Sequence, residues 1–365
     1  MLSIRYFIIG IFVCTYLWSF GQDETVFDSL GVQLDRMVPR FVERGFSGAI
    51  LVEKDGQVIL NKGYGYAQDR AKIPFRTNTA FGIGTLSMQF TATAILQLYE
   101  QGKIDLNAPI SEYLQDVPDD KKGITVSQLL SYSSGLPDFF NNKSDHKSIS
   151  RQLAFREIMD LPLQFKPGKS FLFSNAGYTL LAILFEEITG GSYLDYLRQE
   201  LFPAAGMTET AFNGSQIWSE TRVAEGRGFV ELADNNPMRW PEPSWNIIGT
   251  GEIVTTLEDL YSWKQAWDNN RLVNAKTKEL MMQKHALDKT QRFIEYGYGW
   301  RRKQELDTEM IYNSGGGEYG QLATIRYYPE KHISIVLLSN SYQDVNPLAA
   351  VLVTQFEKIF LQDEQ

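Results

Sequence analysis

Residues 81–92 read FGIGTLSMQFTA, and three further segments follow them in order along the chain. They are residues 124–138 (ITVSQLLSYSSGLPD), 165–178 (FKPGKSFLFSNAGY) and 314–320 (SGGGEYG). Glycine and proline interrupt the first three, for example at Gly135 and Pro167, as is typical of turns between helices. The middle of the chain, about residues 81–289, therefore reads as mainly helical.

The two ends of the chain carry strand patterns instead. Residues 47–67 predict a β-hairpin, because apolar residues flank the pair Asp55-Gly56, which supplies the positive φ angles of a tight turn. Residues 323–328 and 333–338 predict two more strands, joined by a short turn at 329–332.

Helical spacing of apolar residues predicts an opening helix within residues 24–44, and a closing helix is expected at about 345–361. Together these elements predict an α+β fold, in which helices flank one antiparallel sheet built from both termini. The α/β part would span about 22–80 and 290–365, with the mainly helical part inserted at 81–289. A functional site is expected in the cleft between the two parts.

The N-terminus has the pattern of an export signal. Arg5 precedes an apolar run at residues 6–18, and the chain turns polar again at Gln22 and Asp23. We expect a signal peptide at 1–21 and a mature domain at 22–365, in the periplasm or at the cell surface. An uncleaved membrane anchor is the alternative. The one cysteine, Cys14, lies inside this segment, so the mature chain would have no disulfide.

Composition excludes several classes of function. Hydrophobic residues make up 43% of the chain and charged residues 22%, which is typical of a globular protein. The net charge of −9 argues against nucleic acid as a partner. The three histidines, His146, His285 and His332, lie outside the segments quoted above and are expected at the surface. No metal-ligand spacing is present, and neither a metal nor another cofactor is expected.

The four quoted segments resemble the beta-lactamase-related serine hydrolases. That family includes class C β-lactamases, penicillin-binding proteins and D-alanyl-D-alanine carboxypeptidases. The resemblance continues through residues 187–207, 251–263 and 296–300, so it covers nearly the whole predicted mature chain in the family's order. It implies a serine β-lactamase/penicillin-binding-protein-like fold.

The reactive positions of the family are altered here. The family uses a serine nucleophile, a lysine three residues later, the tyrosine of a Tyr-x-Asn motif, and a histidine or lysine on a strand. The resemblance assigns these positions to Thr85, Met88, Phe173 and Ser314. Thr85 and Ser314 keep a hydroxyl. Met88 has no basic group that could accept a proton, and Phe173 has no phenol hydroxyl.

What remains would bind a ligand better than cleave it. Main-chain N–H groups at Thr85 and Gly317 are candidates for an oxyanion hole. Asn175, Gly316, Gly317 and Tyr132 are the candidate ligand-binding residues, and Tyr178, Glu252, Glu318 and Tyr319 are further candidates around the cleft.

The sequence therefore predicts an exported, catalytically degenerate protein that binds a peptide-like or carbonyl-bearing ligand, such as a cell-wall peptide, or a protein partner. Two alternatives remain open. One is a hydrolase or acyl-transferase that uses Thr85, although this residue also reads as the N-cap of a buried helix. The other is an interaction module whose cleft is filled by Met88 and Phe173.

Overall fold

The structure is a computed structural model that describes residues 24–139, 147–227, 235–290, 294–305, 308–317, 320–341 and 348–362. The expected signal peptide at 1–21 lies outside these residues, as do His146, Glu318 and Tyr319. Within the described ranges no helix is both long enough and apolar enough to span a bilayer.

The helices and strands are numbered in chain order. The helices are α1 (Asp28–Val42), α2 (Met88–Glu100), α3 (Val126–Leu130), α4 (Arg151–Asp160), α5 (Asn175–Thr189), α6 (Tyr193–Tyr196), α7 (Phe202–Ala205), α8 (Leu257–Asp268), α9 (Ala275–Met282) and α10 (Leu348–Gln362). The strands are β1 (Thr25–Val26), β2 (Gly48–Lys54), β3 (Gln57–Tyr64), β4 (Tyr66–Gln68), β5 (Ile73–Pro74), β6 (Phe81–Gly82), β7 (Ala211–Phe212), β8 (Ile253–Thr255), β9 (Ala286–Asp288), β10 (Ile294–Tyr296), β11 (Arg301–Glu305), β12 (Thr308–Gly317), β13 (Gln321–Tyr328) and β14 (Ile333–Ser339).

The described residues form a large antiparallel sheet with strand order β1-β3-β2-β14-β13-β12-β11-β10-β9. Strands from the two ends of the chain meet where β2 pairs with β14, at Val52 and Ile335 for example. This arrangement confirms the predicted α+β class with helices around one antiparallel sheet.

The local predictions at the two ends are confirmed. Helix α1 buries Leu34, Val38 and Phe41, which are spaced to lie on one face. The turn between β2 and β3 places Asp55 at φ 51° and Gly56 at φ 79°, as the Asp-Gly pair predicted. The closing helix is α10.

The middle of the chain, for which a mainly helical pattern was predicted over 81–289, contains helices α2 to α9 together with the short strands β6 to β9. Strands β6, β7 and β8 form a small sheet with β8 in the centre. Each is only two or three residues long, too short for strand periodicity to be recognised in the sequence. The small sheet holds the segment before Thr85, because Gly82 on β6 pairs with Val254 on β8.

Candidate functional site

The turn that carries Thr85 lies against strand β12, although the two are more than two hundred residues apart in sequence. A Cβ atom on Gly315 would lie 2.1 Å from the main-chain nitrogen of Leu86. A Cβ on Gly84 would lie 2.9 Å from the carbonyl oxygen of Gly316, and Gly84 also has a positive φ of 52°. Only glycine allows this close approach of two backbones. The structure thus brings Thr85 beside the Ser314–Gly316 segment.

Thr85 lies in a 3-10 turn, Gly84–Ser87, that leads into α2. The prediction that Thr85 caps the helix is wrong: α2 begins at Met88, Ser87 precedes it, and neither the turn nor the helix has a side-chain cap. The left-handed conformation of Gly84 tightens the chain into a 3-10 turn before the α-helix starts. Thr85 remains partly exposed at this turn, whereas Ser87 is buried.

Met88 is enclosed by protein. Its side chain is only 1% exposed, and the hydroxyl of Tyr132 donates a hydrogen bond to its Sδ atom over 3.2 Å. Tyr132 is 5% exposed and has a φ of 58°, a conformation that non-glycine residues seldom adopt. The place where the family has a reactive lysine is therefore a closed contact between a thioether and a phenol.

Aromatic rings surround this contact. The ring of Tyr132 stacks on Phe173, with centroids 5.0 Å apart, and on Tyr178, also at 5.0 Å. Tyr296 meets Tyr132 edge-on at 5.5 Å, and Phe171 packs on Tyr296 at 4.4 Å. Phe173 thus serves as a packing surface for Tyr132, and its ring has no atom that can transfer a proton.

The phenols of this cluster are not suited to act as bases. Burial raises the pKa of Tyr132 well above its ordinary value and raises that of Tyr178 as well. Tyr178 donates its hydroxyl to the carbonyl of Leu130. Both phenols therefore stay protonated at neutral pH and can donate a hydrogen bond but not accept a proton.

Asn175, a predicted ligand-binding residue, is bonded to Asp138. Its main-chain N–H and its Nδ2 amide both donate to Oδ1 of Asp138, at 3.1 and 2.6 Å. Burial raises the pKa of Asp138, while these two hydrogen bonds act in the opposite direction. The pair joins the loop after Pro137 to the first residue of α5, so Asn175 holds the scaffold and keeps only part of its amide for a ligand.

Ser314 is tied into the sheet. Thr324, opposite it on β13, donates to the carbonyl of Asn313, so the Ser314 hydroxyl donates to Thr324 Oγ1 over 2.8 Å. A serine in this arrangement supplies neither positive charge nor a free proton. Gly316 is partly exposed beside Gly84, and Gly317, the last residue of β12, pairs with Gln321 on β13.

Sequence reasoning missed Arg301. Its guanidinium lies over the rings of Tyr296 and Tyr312, 5.3 and 5.9 Å from their centroids, and its charge lowers the otherwise raised pKa of Tyr132. Arg301 forms no ion pair with a carboxylate among the residues that the structure describes. The cluster therefore holds one positive charge that has no carboxylate partner in the described part of the chain. The only hint in the sequence was its position just after the Tyr-Gly-Tyr-Gly-Trp segment at 296–300.

Glu252 is the fully buried carboxyl group behind the turn. Its Oε2 accepts the main-chain N–H of Gly251 at 3.0 Å, and its Oε1 has no hydrogen-bond partner in the described part of the chain. Burial raises the pKa of Glu252 to about 7, although main-chain N–H groups of residues 249–252 act in the opposite direction.

No set of three or more metal-ligating side chains occurs among the described residues. His332 is exposed, as expected. His285 is partly exposed, with its ring stacked on Tyr298 at 3.8 Å and its Nε2 2.8 Å from the carbonyl of Leu280. Both contacts of His285 are with residues of the fold, and we assign it a structural role.

Comparison with known proteins finds relatives that cover most of this chain. A penicillin-binding protein of Bacillus subtilis is 28% identical over 347 residues, which cover 90% of this chain and 73% of that protein. Protein flp of Staphylococcus aureus is 29% identical, and the chain spans only 64% of its length. The D-amino acid amidase of Ochrobactrum anthropi, solved with L-phenylalanine amide, has the same fold with a TM-score of 0.80 and 22% identity, over 93% of this chain and 100% of that one.

The family profile described as Beta-lactamase matches residues 34–355, which include every site residue discussed above. The chain belongs to the beta-lactamase family of serine hydrolases.

Proposed function

We propose that this protein is a ligand-binding member of the family that has lost acyl-transfer chemistry. The single observation that carries the proposal is the Tyr132–Met88 contact, because a closed thioether stands where the family removes a proton from its nucleophile. One well-placed acid or base contributes about 10²- to 10⁴-fold to a rate. When a member of a catalytic unit is missing, the others seldom retain their effect.

The other positions support binding without turnover. Phe173 packs on Tyr132, and the hydroxyl of Ser314 donates its hydrogen bond to Thr324. Thr85 stays partly exposed at a tight turn beside Gly316, where main-chain N–H groups are suited to hold a carbonyl oxygen. Such a site binds the carbonyl of an amide and lacks the means to break it.

Arg301 suggests what else the ligand carries. A guanidinium among aromatic rings, with no ion pair to a described carboxylate, favours a carboxylate ligand, which it can bind through two parallel hydrogen bonds. The ligand class proposed is therefore a short peptide or acylated amino acid with both an amide carbonyl and a free carboxylate. Export to the periplasm or cell surface, expected from the N-terminal segment, would give the protein access to such fragments of the cell wall.

The test is equilibrium binding of N-acetyl-D-alanyl-D-alanine. Calorimetry measures the affinity, and NMR shows whether the dipeptide stays intact. We expect reversible binding with no cleavage, and Arg301→Gln should weaken it about ten-fold or more, because a hydrogen bond to a charged group contributes about 1.5–3 kcal/mol. Arg302→Gln is the matched control: this neighbour on β11 is already paired with Glu309. Equal loss in both variants, or no binding by the wild type, would contradict the proposal.

A second function is supported by the relatives. Proteins named as a penicillin-binding protein and a D-amino acid amidase resemble this chain over most of its length. The alternative is accordingly a hydrolase or acyl-transferase in which Thr85 is the nucleophile. It predicts cleavage of the dipeptide or of a simple amide that disappears in Thr85→Ala.

A further inference from the structure

The carboxyl group of Glu252 lies within the protein with no cation to balance it. The residue is 0% exposed, and no lysine, arginine or histidine of the described ranges forms an ion pair with it. One oxygen accepts the N–H of Gly251 and the other has no hydrogen-bond partner within the described ranges, so the main-chain N–H groups of residues 249–252 offset the effect of burial only in part. Burial therefore makes ionisation of this carboxyl group harder than it is in water.

Glu252 belongs to a loop, residues 249–252, that supports the Thr85 turn from behind. A Cβ on Gly251 would lie 3.9 Å from Cα of Gly84, the residue just before Thr85. On the other side, a Cβ on Gly249 would lie 2.8 Å from the carbonyl oxygen of Tyr178 on α5. The loop is thus packed between the helical core and the turn, so a displacement of the loop changes the surroundings of Thr85.

The groups that face this loop are mostly neutral. From α2, Thr91 donates to the carbonyl of Gly249, and the phenol of Tyr193 on α6 in turn donates to Thr91 over 2.7 Å. The main-chain N–H of Asn213 donates to the main-chain carbonyl of Glu252. Tyr193 is the titratable group in this set. Burial raises its pKa well above the ordinary value, and the charge of Glu252 raises it further. It therefore stays neutral and cannot compensate a negative charge.

We propose that Glu252 acts as a pH-sensitive latch of the candidate site. In its neutral form it keeps the 249–252 loop closed against Gly84, and when it ionises it draws water into the loop and loosens the Thr85 turn. The raised pKa of this carboxyl group puts the transition near neutral pH, within the range of extracellular and periplasmic conditions. The consequence for ligand binding rests on the function proposed above; the change in the turn does not.

Hydrogen exchange measured by mass spectrometry on the full-length protein tests the latch directly. Peptides covering residues 82–92 and 247–256 are followed at pH 5.5 and pH 8.5, with correction for the intrinsic dependence of exchange on pH. We expect protection of both segments to fall about ten-fold at the higher pH in the wild type. Glu252→Gln should keep the protection of pH 5.5 at both values. Glu258→Gln, a half-buried glutamate six residues along the same segment, should behave as the wild type.

Two further measurements keep the inference falsifiable if Glu252→Gln fails to fold. Carbon-13 NMR of glutamate carboxyl groups in the wild type should reveal one that titrates near neutral pH, and titration of every glutamate below pH 5.5 would overturn the latch. Dipeptide affinity should fall between pH 5.5 and 8.5. Absence of dipeptide binding at both pH values would refute the proposed function alone, whereas protection that is independent of pH in the wild type would refute the latch alone.

Discussion

Replacing Met88 by lysine restores the family's residue and tests how far the site has been remodelled. Met88 is 1% exposed, and its sulfur accepts a hydrogen bond from the Tyr132 hydroxyl. A lysine there would lose its hydration without gaining a carboxylate. Full burial lowers the pKa of a lysine by about 3–5 units. At about 1.4 kcal/mol per unit, the charged form would destabilise the fold by about 4–7 kcal/mol.

The stability of Met88→Lys should also depend on pH in a definite direction. Because the folded-state pKa of the lysine would lie below its unfolded value near 10.4, the unfolded state binds more protons between the two. The stability of Met88→Lys should therefore rise with pH across that window, and its deficit should be greatest near pH 6. Most domains have only 5–15 kcal/mol in total, so the variant is expected to be marginal there.

Urea unfolding of the wild type, Met88→Leu and Met88→Lys at pH 6, 8 and 10 measures the effect. Met88→Leu, which keeps volume and polarity, should cost less than about 1.5 kcal/mol at every pH. If Met88→Lys and Met88→Leu have the same free energy of unfolding at all three pH values, the pocket can still hold an ammonium group. That result would contradict the closed contact between Met88 and Tyr132 as the reason for lost chemistry.

Further predictions concern single residues around the site. Burial raises the pKa of Glu252 from 4.5 to about 7, so the folded state holds this proton more tightly and stability falls as pH rises through that interval. At about 1.4 kcal/mol per pKa unit, Glu252→Gln should therefore stabilise the protein by about 3 kcal/mol at pH 8.5 and by little at pH 4, which denaturant titration at both values would verify. Asp138→Ala removes the acceptor of two Asn175 N–H groups and should lower the free energy of unfolding by about 2–4 kcal/mol. The control Asp160→Ala, at the end of α4, should change stability little. Equal effects of the two variants in thermal unfolding would refute the role given to Asp138.

Much of the fold could be predicted because its signals are local or ordered along the chain. The Asp55-Gly56 turn and the apolar spacing of α1 are visible within a few residues. The strand patterns at residues 47–67, 323–328 and 333–338 predicted the sheet that joins both termini, and the order of the family's segments agreed with the fold that the resemblance implied. The short strands β6, β7 and β8 were missed because they are defined by pairing partners and not by any pattern of their own.

The candidate site was predicted only in part. Resemblance identified Thr85, Met88, Phe173 and Ser314, but it could not show what fills the space they leave. The contact between Tyr132 and Met88 joins residues 44 positions apart, and that between Asn175 and Asp138 joins residues 37 apart. Arg301 reaches the aromatic cluster because β11 pairs with β12 opposite Tyr312. Such relations are created by the fold, so a single sequence carries no sign of them.

The central claim is that the cleft binds without acylation, and intact-protein mass spectrometry after incubation with a β-lactam or a fluorophosphonate tests it most directly. The wild type and Thr85→Ser should both remain at their unmodified mass, because neither has a base to activate the hydroxyl. The triple variant Thr85→Ser, Met88→Lys, Phe173→Tyr is the positive comparison, in which weak labelling would indicate an intact main-chain cradle. A stoichiometric adduct on the wild type that disappears in Thr85→Ala would contradict the account and establish Thr85 as a working nucleophile.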